Sequence, residues 1–171
     1  VRAFSDNRTA EQLAIASYWA VRGPSFMNQV AADLIVAHHR TEREAAHIMA
    51  LANMAGFDVS NACFDAKFAY YLIRPSQADP LITLPVGLPN HPSYVSGHSC
   101  QTSAYAAVLQ SVFPQERDEL EALIVEAGLA RIYSGLHYRF DTEAGAALGR
   151  NVAGQVLSVM TGRDAIPLIW N

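Results

Sequence analysis

Five of the eight prolines of the chain fall within residues 75–92. Proline fixes φ and removes a backbone donor, so neither a helix interior nor a central strand runs through such a stretch. With no helical periodicity of its own, the segment reads as an ordered, rigid loop of the kind that rims sites, not as a linker between domains. The sequence before and after it carries helical patterns, which makes the expected fold class all-α: a bundle of about six to seven helices. At 171 residues, 51% hydrophobic and 16% charged, the chain is long and apolar enough for one domain over residues 1–171 with a substantial core.

Capping signals place the first helices. Thr9 with Gln12 and Thr41 with Glu44 have capping-box spacing, opening helices over residues 9–21 and from residue 41 to a stop near Gly56. Between them a helix is expected over residues 27–39. A fourth, over residues 60–73, is ended by Pro75. Later helices are expected from Gly97 or Ser99 to Val112, over 115–133 with an acidic, solvated start, and over 142–161.

The net charge of −4 and the lack of a long basic run argue against nucleic acid, so any basic cluster marks a local site. No apolar stretch is long enough for a membrane span, which also argues against membrane lipid phosphate as a substrate. The chain starts at Val1 without a signal pattern, consistent with a processed or truncated product; a secreted or periplasmic address is weakly favoured, and homo-oligomerisation stays open. Cys63 and Cys100 are compatible with a disulfide or with two buried thiols. His38, His39 and His47 match no metal-ligand spacing and read as structural or solvent-facing.

Three stretches hold chemistry. Lys67 and Arg74 lie seven residues apart, two helical turns, in an otherwise apolar and aromatic segment, so both cations are expected on one stripe, either facing one place or snorkelling to water. The run His91-Pro-Ser-Tyr-Val-Ser-Gly-His98 ends at a helix start, where Ser96, the Gly97 N–H and the His98 imidazole suit an anion, or where Ser96 simply caps the helix. In the third, Ser134-Gly135 can bend the chain so that Arg131 and His137 converge. Asp141, four residues after His137, is placed to orient its ring, to cap the last helix, or both.

Lys67-x6-Arg74-Pro75, Ser96-Gly97-His98 and Arg131-x5-His137-x3-Asp141 together resemble the signature of the superfamily that joins type 2 phosphatidic acid phosphatases, bacterial non-specific acid phosphatases and vanadium-dependent haloperoxidases. Soluble bacterial haloperoxidase-like members are the nearest in pattern. The resemblance implies that Lys67, Arg74, Arg131, Ser96 and Gly97 bind phosphate or vanadate. It also implies that His137 is the nucleophile or the single vanadium ligand, Asp141 its orienter and His98 the general acid/base. Val95 stands where the family usually has Pro, and Ala130 where it usually has Ser.

His91, seven residues before His98, matches the position where bromoperoxidase-like members tend to carry a second histidine. The expectation is therefore a vanadate-dependent haloperoxidase that uses hydrogen peroxide, bromide and a small organic acceptor. The alternatives are a cofactor-free phosphatase acting on phosphomonoesters through a phosphohistidine, and an inactive phosphate-binding module.

Overall fold

A computed structural model describes residues 1–160, and among these no residue is in a strand. Helix α1 (Arg2–Asp6) is short, and α2 (Ala10–Ala20) and α3 (Pro24–Ala37) follow. Then comes the long α4 (Glu42–Tyr70), one turn of α5 (Pro75–Ala78), and the proline loop. Beyond the loop lie α6 (Gly97–Val112), a 3-10 turn (Pro114–Glu116), α7 (Arg117–Tyr133) and α8 (Arg139–Met160). The fold is the expected all-α bundle. The expected end of the last helix at Thr161 lies outside the described residues.

Both capping boxes form. The Thr9 hydroxyl accepts from the Gln12 N–H while Gln12 accepts from the Thr9 N–H, and Thr41 and Glu44 do the same. Helix α3 starts earlier than residue 27 because Pro24 takes its first turn, where a missing N–H is harmless. The acidic start expected at residue 115 is a 3-10 turn, and α7 proper begins at Arg117. Part of that acidic face is engaged, because Glu116 binds His38 Nε2 at 2.7 Å.

Gly56 does not stop a helix. The two helices expected over residues 41–56 and 60–73 are one, α4, 29 residues or roughly 43 Å long. Gly56 serves a close approach instead, since a Cβ there would lie 2.2 Å from the ring of Tyr105 on α6. Helix α8 meets α6 in the same way: a Cβ on Gly145 would sit 2.7 Å from the Ser96 carbonyl, and one on Gly149 2.4 Å from that of Cys100.

Helix α6 is thus the axis of the molecule. Cys100, Ala104, Tyr105, Val108 and Leu109 are buried on it and pack with Leu51, Ala52, Ala55 and Val59 of α4 and Ala153 and Val156 of α8. A satellite cluster joins Trp19 of α2 to Ala127 and Ala130 of α7, so Ala130 fills apolar space where a hydroxyl would need a partner. Cys63 and Cys100 are both buried free thiols.

Candidate active site

The site lies where the N-terminus of α6, the C-terminal ends of α4 and α7 and the start of α8 meet under the proline loop. Helix α4 ends at Tyr70, and Tyr71 turns left-handed (φ 50°). Arg74 is therefore not on the same helical stripe as Lys67. It belongs to the extended link before α5, where its backbone N–H donates to Gln77 Oε1 at 2.7 Å. The two cations reach the site by different routes, and both are buried.

His137 follows the bend that Gly135 makes with φ +75° after α7. Its Nδ1 lies 3.0 Å from Asp141 Oδ2, and its Nε2 lies 2.9 Å from Arg74 Nη1. A guanidinium only donates, so Nε2 is the acceptor and the proton of the neutral ring is on Nδ1, where it is donated to Asp141. Burial, reinforced by Arg74, Lys67 and Arg131, holds His137 well below the usual histidine range and so keeps it neutral. The same Asp141 oxygen accepts from the Ser93 hydroxyl at 2.5 Å and from the Tyr138 N–H at 3.1 Å. Three donors on one oxygen are the pattern of a carboxylate, although burial pushes its pKa up. Asp141 is not the cap residue of α8, since the helix begins at Arg139 and Asp141 reaches back from inside its first turn.

Arg74 bridges two imidazoles. Besides His137 it donates through Nη1 to the Leu136 carbonyl, through Nε and Nη2 to the His91 carbonyl, and through Nη2 to His91 Nδ1 at 3.1 Å. His91 Nδ1 also lies 3.3 Å from the Pro92 carbonyl, but the closer, donor-only guanidinium favours an unprotonated Nδ1, and burial, then Lys67, lowers the His91 pKa. Its ring packs on Phe64 at 5.2 Å.

Lys67 is arranged differently from the expectation. Its ammonium donates to the carbonyls of Pro92, Ser93 and Val95, which uses all three of its donors on the backbone turn ahead of α6. It thus supplies positive charge beneath the site and pins the turn, in which the Tyr94–Val95 peptide is cis. Burial pushes its pKa down to about 8.

Ser96 caps α6, accepting from the Ser99 N–H, while its own N–H donates to the Asp141 carbonyl at 2.9 Å. Beside Gly97 a Cβ would meet nothing within 4 Å, so the backbone there borders open space. His98 is turned aside. Its Nε2 donates to the Trp19 carbonyl at 3.0 Å, and burial together with Arg131 lowers its pKa to about 4.

Arg131, in the last turn of α7, is buried with Nε and Nη1 unpartnered. Burial and the charge of Arg74 pull its pKa down to about 10. Buried guanidinium donors without acceptors are rare and costly. With the charge of Lys67, the open side of Gly97 and the helix N-terminus, they fit a multiply charged oxyanion such as phosphate or vanadate. No group of three or more acidic, histidine or cysteine side chains suited to a metal ion occurs among the described residues, so a metal held as its oxyanion fits this donor set better than a bare cation.

Sequence reasoning missed Ser93, which ties Asp141 to the Lys67 turn. The available signal was its place three residues before Ser96 in the same polar stretch. No helix among the described residues is long and apolar enough to cross a membrane.

A vanadium-dependent bromoperoxidase of Ascophyllum nodosum is 30% identical over 100 residues, covering 42% of this chain and 18% of that protein. The structure of a bacterial vanadium-dependent iodoperoxidase superposes with a TM-score of 0.80 at 23% identity, over 90% of this chain and 44% of that one. The chain thus spans less than half of either haloperoxidase. Aquifex aeolicus LpxE superposes with a TM-score of 0.72 at 19% identity, covering 92% of both chains. A transmembrane phosphatidylglycerolphosphate phosphatase of Bacillus subtilis gives 0.56 at 16%, over 95% of this chain and 92% of that one. The PAP2 superfamily model matches residues 44–164, which contain every element of the site, and the chain belongs to the PAP2 superfamily.

Proposed function

We propose that the pocket holds vanadate and that the chain is a haloperoxidase, oxidising bromide with hydrogen peroxide to a hypohalous species that reacts with a small organic acceptor. The observation that carries this reading is the pairing of Arg131's two unpartnered buried donors with the proton-free Nε2 of His137. The first would donate to oxyanion oxygens, and the second would be the one protein ligand to vanadium. The contact of His91 with Arg74 supports the peroxidase branch, as does the similarity to a bromoperoxidase.

Arg131 donates from Nε and Nη1, the Gly97 N–H donates from the helix end, and Lys67 offsets the charge from below. Arg74 would turn from the neutral imidazole to an anionic oxygen, the stronger acceptor, and so free the Nε2 lone pair. Asp141 keeps the proton on Nδ1, so Nε2 stays available. Bound vanadate would supply Lewis acidity that activates peroxide towards halide. His98 moves protons only after giving up the Trp19 carbonyl, and anionic charge in the pocket favours its protonation.

A phosphatase is the second reading, favoured by the likeness to LpxE along nearly the whole of both chains. Here Nε2 of His137 attacks phosphorus, an N–P bond forms as the ester P–O bond breaks, and the departing oxygen takes the proton of His98. Water then hydrolyses the phosphohistidine, and no cofactor takes part.

Orthovanadate-loaded protein is expected to brominate a phenol in a peroxide-dependent way, and His137→Ala to abolish this. Bromination that survives the substitution would remove His137 from the reaction. Hydrolysis of p-nitrophenyl phosphate without bromination would establish the phosphatase, and neither activity in folded, loaded protein would leave a phosphate-binding module.

A further inference from the structure

The end of α4 is both aromatic and open. Phe64, Phe68 and Tyr71 form a row along it, with ring centroids 6.2 Å and 6.4 Å apart in succession. They are 42%, 56% and 71% exposed, and Leu88 of the proline loop stands 47% exposed. Between helix end and loop lies a cleft of about 280 Å³, walled by Phe68, Tyr71, Ile73 and Leu88, with Arg74 and His91 among its polar lining. Among the described residues no carboxylate lines it.

Apolar walls around a few fixed polar groups are the make-up of a small-molecule site, and clustered exposed apolar side chains mark binding surfaces. The backbone gives an independent sign. Tyr71 holds φ 50°, a conformation for which helix ends normally use glycine, so a bulky ring is kept on this wall where the backbone disfavours it. The row is also joined to the site, because Phe64 packs on His91, and His91 accepts from Arg74.

Resting on the oxyanion reading above, we propose that this cleft is the subsite for a single aromatic ring of the substrate, whose anionic or reacting group lies at Arg74. The ring is that of an aryl phosphomonoester in a phosphatase or of the aromatic acceptor in a haloperoxidase. The faces of Phe68 and Tyr71 suit ring stacking. The volume is just below the roughly 300–1,000 Å³ of pockets for drug-sized ligands, which suits one ring and not an extended chain. The positive charge of Arg74 selects an anionic substituent and repels a cationic one.

Calorimetry on the whole chain with phosphate, methylphosphonate and phenylphosphonate tests this. Phenylphosphonate is expected to bind about tenfold tighter than methylphosphonate, and Phe68→Ala to bring the ratio towards unity. Phe57→Ala, at an exposed position on α4 that does not line the cleft, is expected to keep the ratio. Leu88→Ala repeats the test from the opposite wall, so a single misfolded variant does not decide it. Phosphate binding with equal affinity for the two phosphonates would overturn the subsite and leave the oxyanion site standing, as would a preference untouched by Phe68→Ala and Leu88→Ala. Failure of all three anions to bind folded protein would overturn the oxyanion reading and the subsite with it.

Discussion

The Ser93 hydroxyl donates to Oδ2 of Asp141 at 2.5 Å, the same oxygen that takes the Nδ1 proton of His137. Ser93 also offers its carbonyl to Lys67, so one small residue joins the cation below the site to the carboxylate behind His137. Ser93→Ala is expected to lower kcat about tenfold, the scale of losing a partner that orients a reactive histidine, while phosphate affinity changes little. Losing that donor also raises the Asp141 pKa further, so the acid limb of the pH–rate profile moves to higher pH. Ser93→Thr, which keeps the hydroxyl, should restore both.

Arg131 sets stability against binding. A buried guanidinium with two unpartnered nitrogens is a burden to the free protein, so Arg131→Met is expected to leave the Tm of ligand-free protein unchanged or raise it. The same change should weaken phosphate or vanadate binding by at least about 100-fold, the scale of a bidentate charged contact removed. Thermal melts with and without phosphate read both effects: the parent Tm rises with the anion and the variant Tm does not.

Lys67 gives the site a basic limit. Its pKa falls from 10.5 to about 8, chiefly through burial, so anion affinity should decline as pH rises through 8. Stability runs the other way. Between pH 8 and 10.5 the unfolded chain holds the proton and the folded chain has released it, so this group's contribution to stability rises with pH across that window. Below pH 8 its full penalty is present, of order 3 kcal/mol. Phosphate titrations and denaturant melts at pH 7, 8.5 and 10 check the two trends.

Gly56→Ala tests the contact between α4 and α6. The added methyl would lie 2.2 Å from the Tyr105 ring, so the ring or the helix must move. Propensity alone would make alanine better in a helix interior by roughly 1 kcal/mol. Overpacking is expected to win, with a net loss of about 1–3 kcal/mol in urea unfolding.

Legibility in the sequence followed how local each cause was. The capping boxes at Thr9 and Thr41 act over three residues and could be read directly. The glycine at position 56 could not: stop and close approach use the same residue, and only the Tyr105 ring on another helix separates them. The convergence of Arg74, Arg131 and His137 followed from three spaced motifs, but the route did not, because the left-handed Tyr71 carries Arg74 off the helix. Side-chain direction was the least legible. Lys67 donates to carbonyls twenty-five or more residues away, and His98 turns to the Trp19 carbonyl, contacts that no spacing along the chain encodes. Ser93 was hidden for a plainer reason, since its place three residues before Ser96 is a weak signal for a lone hydroxyl in a loop.

The hydrogen bond from Arg74 to His137 Nε2 occupies the nitrogen that the proposed chemistry would use. An incoming anion must attract the guanidinium more strongly than a neutral imidazole does, so measured affinity reports a difference between two acceptors. Phosphate and vanadate, with concentrated charge on oxygen, meet that condition; diffuse, weakly accepting anions such as perchlorate do not. On the proposed oxyanion reading, such a site would sort anions by hydrogen-bond basicity before any bond is made or broken.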